Sequence, residues 1–350
     1  MELLNLRGRL VGPGCPPYII AEIGANFNGD MALCRKLIDA AKDCGADAVK
    51  FQSWSVDSLI SRAEYARNTS YTDAHRHFGT LEEMVKRYQL TPEQHKEAAS
   101  CCRERGIEFL SSPFSPLEVD LLDSLGVPCF KVASMDINHL TLLRHVGSKG
   151  KPVILSTGMS TIGEIERALD VLRQSGSGPV ALLHCISIYP PRHEDIHLRN
   201  MAMLQKAFDV PVGFSDHTLG TAIPLAAIAL GGCIVEKHFT LDKGMDGWDH
   251  WISADPAEMK TIVEGGKNIF DALGSFVRIV SQAEMEKRLK YRRRLVLKRG
   301  LKKGSVLAES DLDFKRPGNG IHPDELKYVV GRAIKRDISE GEELEWLDLT

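Results

Sequence analysis

The chain has 350 residues, 43% hydrophobic and 26% charged, with a formal net charge of −3. That balance is ordinary for a globular protein and gives no reason to expect nucleic acid or an acidic membrane as the main partner. The length suits a barrel of about 250 residues plus one small module.

The first ten residues include Glu2, Arg7 and Arg9 and lack the apolar stretch of a signal peptide. Short apolar runs then alternate with amphipathic stretches. The predicted strands are 18–22, 48–52, 108–111, 129–132, 153–156, 180–185, 212–214 and 233–238, with helical patterns at 31–44, 115–125, 162–174 and 198–208. Gly45, Gly106, Gly126, Pro128, Pro152, Pro179, Pro211 and Gly231 punctuate the junctions, as turn residues should. Eight nearly continuous apolar strands separated by helices predict a parallel sheet buried on both faces. The expected fold is therefore an α/β protein with a (β/α)8 TIM barrel.

One connection, 54–90, is long and rich in His, Arg, Tyr and Thr, which predicts either a functional lid or a disordered loop. The longest apolar segment, 221–235, carries glycines and falls short of the roughly 18 residues a membrane span needs. Eight cysteines occur without a CxxC pair. They read as reduced thiols of a cytoplasmic protein, His184 and Cys185 being core residues of strand six. Residues 287–303 hold ten Lys or Arg. Without interleaved aromatics the run reads as a solvated linker helix and strand rather than a nucleic-acid patch. Turn-rich segments follow, so the expected division is a barrel over 1–273, a linker over 274–287 and a small β-rich domain over 288–350.

In such a barrel the chemistry sits at the carboxyl ends of the strands. Those ends carry Glu22, then Lys50 and Gln52, Ser111 and Ser112, Lys131 and Ser134, Ser156, Ser187 and Tyr189, Ser215 and His217, and Glu236, Lys237 and His238. Lysines with serine hydroxyls suit a substrate bearing phosphate and carboxylate. His217 and His238 end neighbouring strands. As a pair they suit one divalent ion that keeps positions open for water and substrate oxygen. Glu22 reads as an acid, a base or a holder of sugar hydroxyls, or else as a buried carboxylate paired with Lys50 or Lys131.

These motifs have a family resemblance. The runs 21–30 (AEIGANFNGD), 49–52 (VKFQ), 112–114 (SPF), 130–134 (FKVAS), 155–159 (LSTGM), 215–218 (SDHT) and 236–242 (EKHFTLD) resemble the sialic acid synthase family in order. The run 315–320 (KRPGNG) resembles its C-terminal antifreeze-like domain. The resemblance implies a domain-swapped homodimer that condenses phosphoenolpyruvate with an amino-sugar aldehyde. It implies phosphoenolpyruvate contacts from Lys50, Gln52, Lys131, Ser134, Ser156, Ser187 and Ser215. It implies a catalytic Mn2+ or Mg2+ on His217 and His238. The sugar contacts it implies are Glu22, Tyr189 and Asp249, with Arg316 reaching in from a second chain.

The sequence departs from the family at Ser187, where some members carry Asn. It departs again at 246–251 (DGWDHW), where Trp248 and Trp251 stand near the sugar end. The lid residues His75, Arg76 and His77 read as solvated lid residues or, alternatively, as candidates for a terminal phosphate. N-acetylneuraminate, legionaminate, pseudaminate and a 9-phosphate product therefore all stay open. The more distant alternatives are a synthase acting on a sugar phosphate and a non-catalytic barrel scaffold.

Overall fold

The computed structural model describes all of the chain except residues 71, 74, 75, 78 and 317, with 72, 73, 76 and 77 described by their backbone. The chain divides into two compact units, Met1–Gly274 and Ser275–Thr350.

The first unit is built on eight parallel strands: β1 (Tyr18–Glu22), β2 (Ala48–Ser53), β3 (Glu108–Pro113), β4 (Phe130–Val132), β5 (Val153–Ser156), β6 (Val180–Cys185), β7 (Val212–Asp216) and β8 (Ile234–His238). Their hydrogen-bonded order is β3-β2-β1-β8-β7-β6-β5-β4. β3 and β4 lie side by side and complete the round.

Strand side chains alternate between two faces, and here both faces are buried in different cores. Ile19, Ala21, Val49, Phe51, Phe109, Phe130, Leu155, Leu182, Phe214 and Val235 point outward into a core shared with the helices. Ile20, Ala48, Leu110, Cys129, Ile154, Ala181, Leu183 and Ile234 fill the barrel's lower interior. A hairpin of Leu4–Leu6 and Arg9–Val11 closes the lower end, and its Leu4, Leu6 and Val11 join the interior cluster. Each such aliphatic side chain contributes roughly 1.5–3 kcal/mol on burial.

The helices follow from their caps and apolar stripes. Asp30 accepts from the Ala32 amide at 2.7 Å and starts the helix Met31–Asp43. That helix buries Cys34, Leu37, Ile38 and Ala41, one face at helical spacing. Thr91, Thr161 and Asp255 begin later helices with reciprocal capping boxes.

The 54–90 connection is not an irregular loop. It folds into helices Val56–Leu59, Arg62–Arg67 and Leu81–Tyr88 around a hairpin, Thr72–Asp73 with Arg76–His77. Trp54, Tyr65, Met84, Val85 and Tyr88 give it a core of its own, together with Phe114. Two of those helices are too short to show an apolar period, which is why they read as loop.

In the second unit β9 (Arg294–Leu297) pairs antiparallel with β10 (Leu312–Lys315). Leu295, Leu297, Leu307, Leu312, Ile334 and Leu344 form its core. The basic run falls on the helix Gln282–Tyr291, on β9 and on the turn that follows it. Ion pairs of Arg299 with Asp311 at 2.8 Å and Lys302 with Asp337 at 2.7 Å take up part of its charge. Among the described residues no helix is long and apolar enough to cross a membrane.

Candidate active site

Two residues further along each strand, on the same inward face, the barrel interior turns from apolar to charged. Ile20 gives way to Glu22, Ala48 to Lys50, Cys129 to Lys131, Ile154 to Ser156 and Ile234 to Glu236. These side chains line a cavity of about 280 Å³ at the carboxyl ends of the strands. Glu22, Lys50, Gln52, Lys131, Ser134, Ser156, Ser187, Tyr189, Ser215, His217 and His238 all face it.

At its floor lies a buried network of two cations and two carboxylates. Lys50 Nζ is 2.8 Å from Glu22 and 3.7 Å from Glu236. Lys131 Nζ donates to Ser156 Oγ at 2.7 Å and lies 3.7 Å from Glu236. Gln52 donates to the other Glu22 oxygen at 2.7 Å. Ser215 donates to Glu236 at 3.3 Å.

Burial disfavours every charge here. It pushes the Glu22 carboxyl up against the opposing pull of Lys50. It drags the Lys131 ammonium down, with Glu236 opposing. For Lys50 burial is outweighed by Glu22 and Glu236, so its proton is held more firmly. For Glu236 burial is outweighed by Lys131 and Lys50, so its carboxyl stays low.

Glu236 escaped the sequence reading as a site residue. The available signal was its parity: it stands two residues before His238 on one strand, so both face inward. The intervening Lys237 faces outward and pairs with Asp216 at 2.6 Å. Cys185 is corrected in the same way. It lines the cavity, because it shares the inward face of β6 with Ala181 and Leu183. His184, of opposite parity, donates from Nε2 to the Ile196 carbonyl oxygen at 2.6 Å.

The upper rim carries the two histidines. Their ring centroids are 5.5 Å apart, with the Tyr189 ring 4.0 Å from His217. His217 Nδ1 donates to the Ile186 carbonyl at 2.8 Å, which fixes the tautomer and leaves Nε2 as the metal-capable nitrogen. His238 Nδ1 is 3.7 Å from the Asp249 carboxylate. Asp249 sits on the loop after β8, its amide held by Asn26 Oδ1 at 3.2 Å. Asn26 also donates to the Phe239 carbonyl and to Ser253, so it ties the loops after β1 and β8 together.

Among the described residues no group of three or more His, Cys, Asp or Glu is arranged to hold a metal. The imidazoles of His217 and His238 would by themselves suit an ion that takes its remaining ligands from water and substrate.

Other candidates lie elsewhere. Trp248 packs against Trp54 at 6.1 Å and Tyr88 at 6.2 Å, within the core of the 54–90 segment. Arg316 belongs to the second unit, where its guanidinium lies 5.4 Å from the Tyr291 ring centroid. His75 falls outside the described residues, and the side chains of Arg76 and His77 are likewise outside them.

The model of the NeuB family matches residues 37–278. The chain belongs to the NeuB family. The SAF domain model matches residues 292–350. An uncharacterised protein of Methanocaldococcus jannaschii is 43% identical, covering 100% of this chain and 99% of the relative. The N,N'-diacetyllegionaminic acid synthase of Legionella pneumophila is 40% identical, covering 94% and 93%. The human N-acetylneuraminate-9-phosphate synthase is 33% identical, covering 98% and 95%. A crystal structure of N-acetylneuraminic acid synthetase from Leptospira borgpetersenii, with citrate bound, superposes with a TM-score of 0.74. It has 32% identity and covers 82% of this chain and 95% of that one. The Legionella and human relatives are thus named as nonulosonate synthases, and the likeness extends over both units of this chain.

Proposed function

We propose that this NeuB-family chain condenses phosphoenolpyruvate with an N-acyl amino-sugar aldehyde and water, giving a nonulosonate and phosphate. The observation that carries the reading is the buried Lys50–Lys131 pair under a rim of two histidines. Phosphoenolpyruvate brings phosphate and carboxylate to the two ammoniums, which exchange Glu22 and Glu236 for the incoming anion. Gln52, Ser134, Ser156, Ser187 and Ser215 supply the remaining donors at its oxygens. Gly158 N donates to Ser134 Oγ at 3.0 Å, holding that hydroxyl in place.

His217 and His238 would hold Mn2+ or Mg2+, which supplies Lewis-acid polarisation of the aldehyde when bound. Carbon 3 of phosphoenolpyruvate forms the new bond to the aldehyde carbon. Water adds at carbon 2, and phosphate leaves with cleavage of its C–O bond. The two lysines stabilise the charge that moves onto the departing phosphate. Glu22, Tyr189 and Asp249 orient the sugar hydroxyls. Arg316 of a second copy completes the site at the N-acyl group, as part of a domain-swapped homodimer.

Identity to the Legionella synthase exceeds identity to the human 9-phosphate synthase, which favours a diacetamido sugar over a phosphorylated one. Phosphate release from phosphoenolpyruvate across a sugar panel tests the reaction. Chelation is expected to abolish turnover and Mn2+ or Mg2+ to restore it. Full activity of a chelated His217→Ala enzyme would overturn the metal assignment. Mixed chains of Arg316→Ala and His217→Ala are expected to regain activity in heterodimers. No recovery in proven heterodimers would show that each chain serves its own site.

A further inference from the structure

Outside the cavity, between the strands and the helix Pro92–Arg105, lies a buried polar trio that the proposed reaction does not use. Val49 and Phe51 on β2 and Phe109 on β3 face outward into the core shared with the helices, and the Phe51 and Phe109 rings stack at 5.5 Å. At the next outward positions the apolar pattern breaks, with Ser53 on β2 and Ser111 on β3. The helix meets them with a histidine. It buries His95, Ala98, Ala99 and Cys102, so His95 takes the first place in a stripe that is otherwise small and apolar. Ser53, Ser111 and His95 are each at most 2% exposed.

The protons of this trio have one arrangement. His95 Nδ1 is 2.8 Å from the Thr91 carbonyl. A carbonyl only accepts, so Nδ1 carries the hydrogen. Burial pushes the imidazole below its ordinary value, against the contact with Thr91, so the ring is neutral and Nε2 accepts. Ser53 Oγ donates to it at 2.7 Å. Having given its one proton, Ser53 accepts from Ser111 Oγ at 2.6 Å. A one-way chain thus runs from β3 through β2 to Thr91. Thr91 is the N-cap of the helix, in a reciprocal capping box with Gln94, and it stands where the 54–90 connection ends.

Such a trio adds little stability, because buried polar groups that satisfy one another can be replaced together by apolar ones of like shape at small cost. What it supplies is placement. It crosses β2 and β3 at their last rungs, where Gln52 is in register with Ser112 and Ser53 with Pro113. Gln52, the inward residue before Ser53, donates to Glu22 at 2.7 Å. Ser112, the inward residue after Ser111, accepts from Lys50 Nζ at 3.4 Å. Glu22 is itself 2.8 Å from that Nζ. The Lys50 ammonium is therefore steadied on two sides from the one rung that the trio clamps.

We propose that His95, acting through Ser53 and Ser111, is a positioning residue that sets Gln52 and Ser112 and so holds the Lys50 ammonium where the phosphoenolpyruvate anion meets it. The proposal rests on the synthase reading and adds to it a residue outside the cavity that governs one substrate more than the other.

The test titrates phosphoenolpyruvate calorimetrically onto the full chain with Mn2+ present, and measures kcat and both KM values with an N-acyl amino sugar. The proteins are the wild type, Ser53→Ala, His95→Leu, His95→Gln and the triple variant Ser53→Ala/His95→Leu/Ser111→Ala. Ser53→Ala and His95→Leu should each weaken phosphoenolpyruvate binding and raise its KM by about three- to tenfold, with kcat held within about twofold. His95→Gln, whose amide oxygen can accept from Ser53, should recover most of the loss. The triple variant leaves no polar partner over. It should melt no lower than His95→Leu and still bind phosphoenolpyruvate as weakly, which separates placement from folding.

Phosphoenolpyruvate affinity equal to the wild type in His95→Leu and in the triple variant would make the trio structural and end the proposal. So would a loss that follows the thermal midpoint across the series, or an equal rise in the KM of the sugar. Ser53→Ala, the mildest change, decides the matter if His95→Leu does not fold. A wild type that binds phosphoenolpyruvate but releases no phosphate with any sugar refutes the synthase reading alone, and the titration still judges the trio. A wild type that binds none refutes both.

Discussion

The lower and upper halves of the barrel use the same eight strands and the same inward-facing positions, yet their contents are opposite. The lower half packs Ile20, Leu110, Ile154, Leu183 and Ile234 against the N-terminal hairpin. The upper half buries Glu22, Lys50, Lys131 and Glu236, which balance two against two. Two residues of strand, about 6.6 Å of rise, separate the regimes. The apolar half is held by packing alone. The charged half is stable only because every charge has a partner, and on the proposed reaction a substrate anion would enter by exchanging those partners. Stability and chemistry are thus stacked along one axis, and substitutions should sort by height.

The largest effect is expected from carrying mouth chemistry into the floor. Leu183→Asp places a carboxylate in the apolar layer with no cation beside it. An unpaired buried charge costs several kcal/mol against a total stability of roughly 5–15 kcal/mol. Soluble yield and circular dichroism should both collapse, and a folded, thermally stable Leu183→Asp protein would end the comparison. Next comes removal of one member of the charged layer. Lys131→Ala should keep the fold, since Glu236 retains Lys50 and Ser215. It should lower kcat/KM for phosphoenolpyruvate by one to two decades, about 1.5–3 kcal/mol, with much less change for the sugar. Unaltered phosphoenolpyruvate kinetics would make the lysine purely structural.

Near neutral pH the smallest effect is that of protonation. Burial brings the His250 imidazole down to about 4, and its Nδ1 is 2.6 Å from Thr240 Oγ1. The unfolded chain takes up this proton near pH 6.5, whereas the folded chain does so only near 4. The stability that the neutral ring contributes is complete above pH 6.5 and is lost as pH falls toward 4, by at most about 1.4 kcal/mol per unit. Urea unfolding at pH 7.5, 6 and 5 should show this slope in the wild type and a flatter one in His250→Asn. Equal slopes would place the acid sensitivity elsewhere.

Much of this was legible in the sequence. Continuous apolar runs located the strands to within about two residues, because a parallel sheet buried on both faces tolerates little else. Strand ends located Lys50, Lys131, His217 and His238, because the fold puts them at one rim. Reading was weaker where a residue's meaning depends on parity. Cys185 reads as core and Lys237 as rim until the register decides that one faces the cavity and the other does not. The 54–90 segment hid its short helices because Val56–Leu59 spans barely one turn. Its stability comes from tertiary contacts of Trp54, Tyr65 and Trp248, which no local pattern announces.

The hairpin under the barrel has a kinetic consequence. With Leu4, Leu6 and Val11 stoppering the lower end, the reactants share one doorway at the rim. Whatever docks at the two lysines lies beneath whatever docks at the histidines, like the first book in a narrow box. On the proposed reaction, arrival would then be sequential, with the small anion ahead of the sugar. Departure would reverse it, the nine-carbon acid clearing the doorway before inorganic phosphate leaves the bottom.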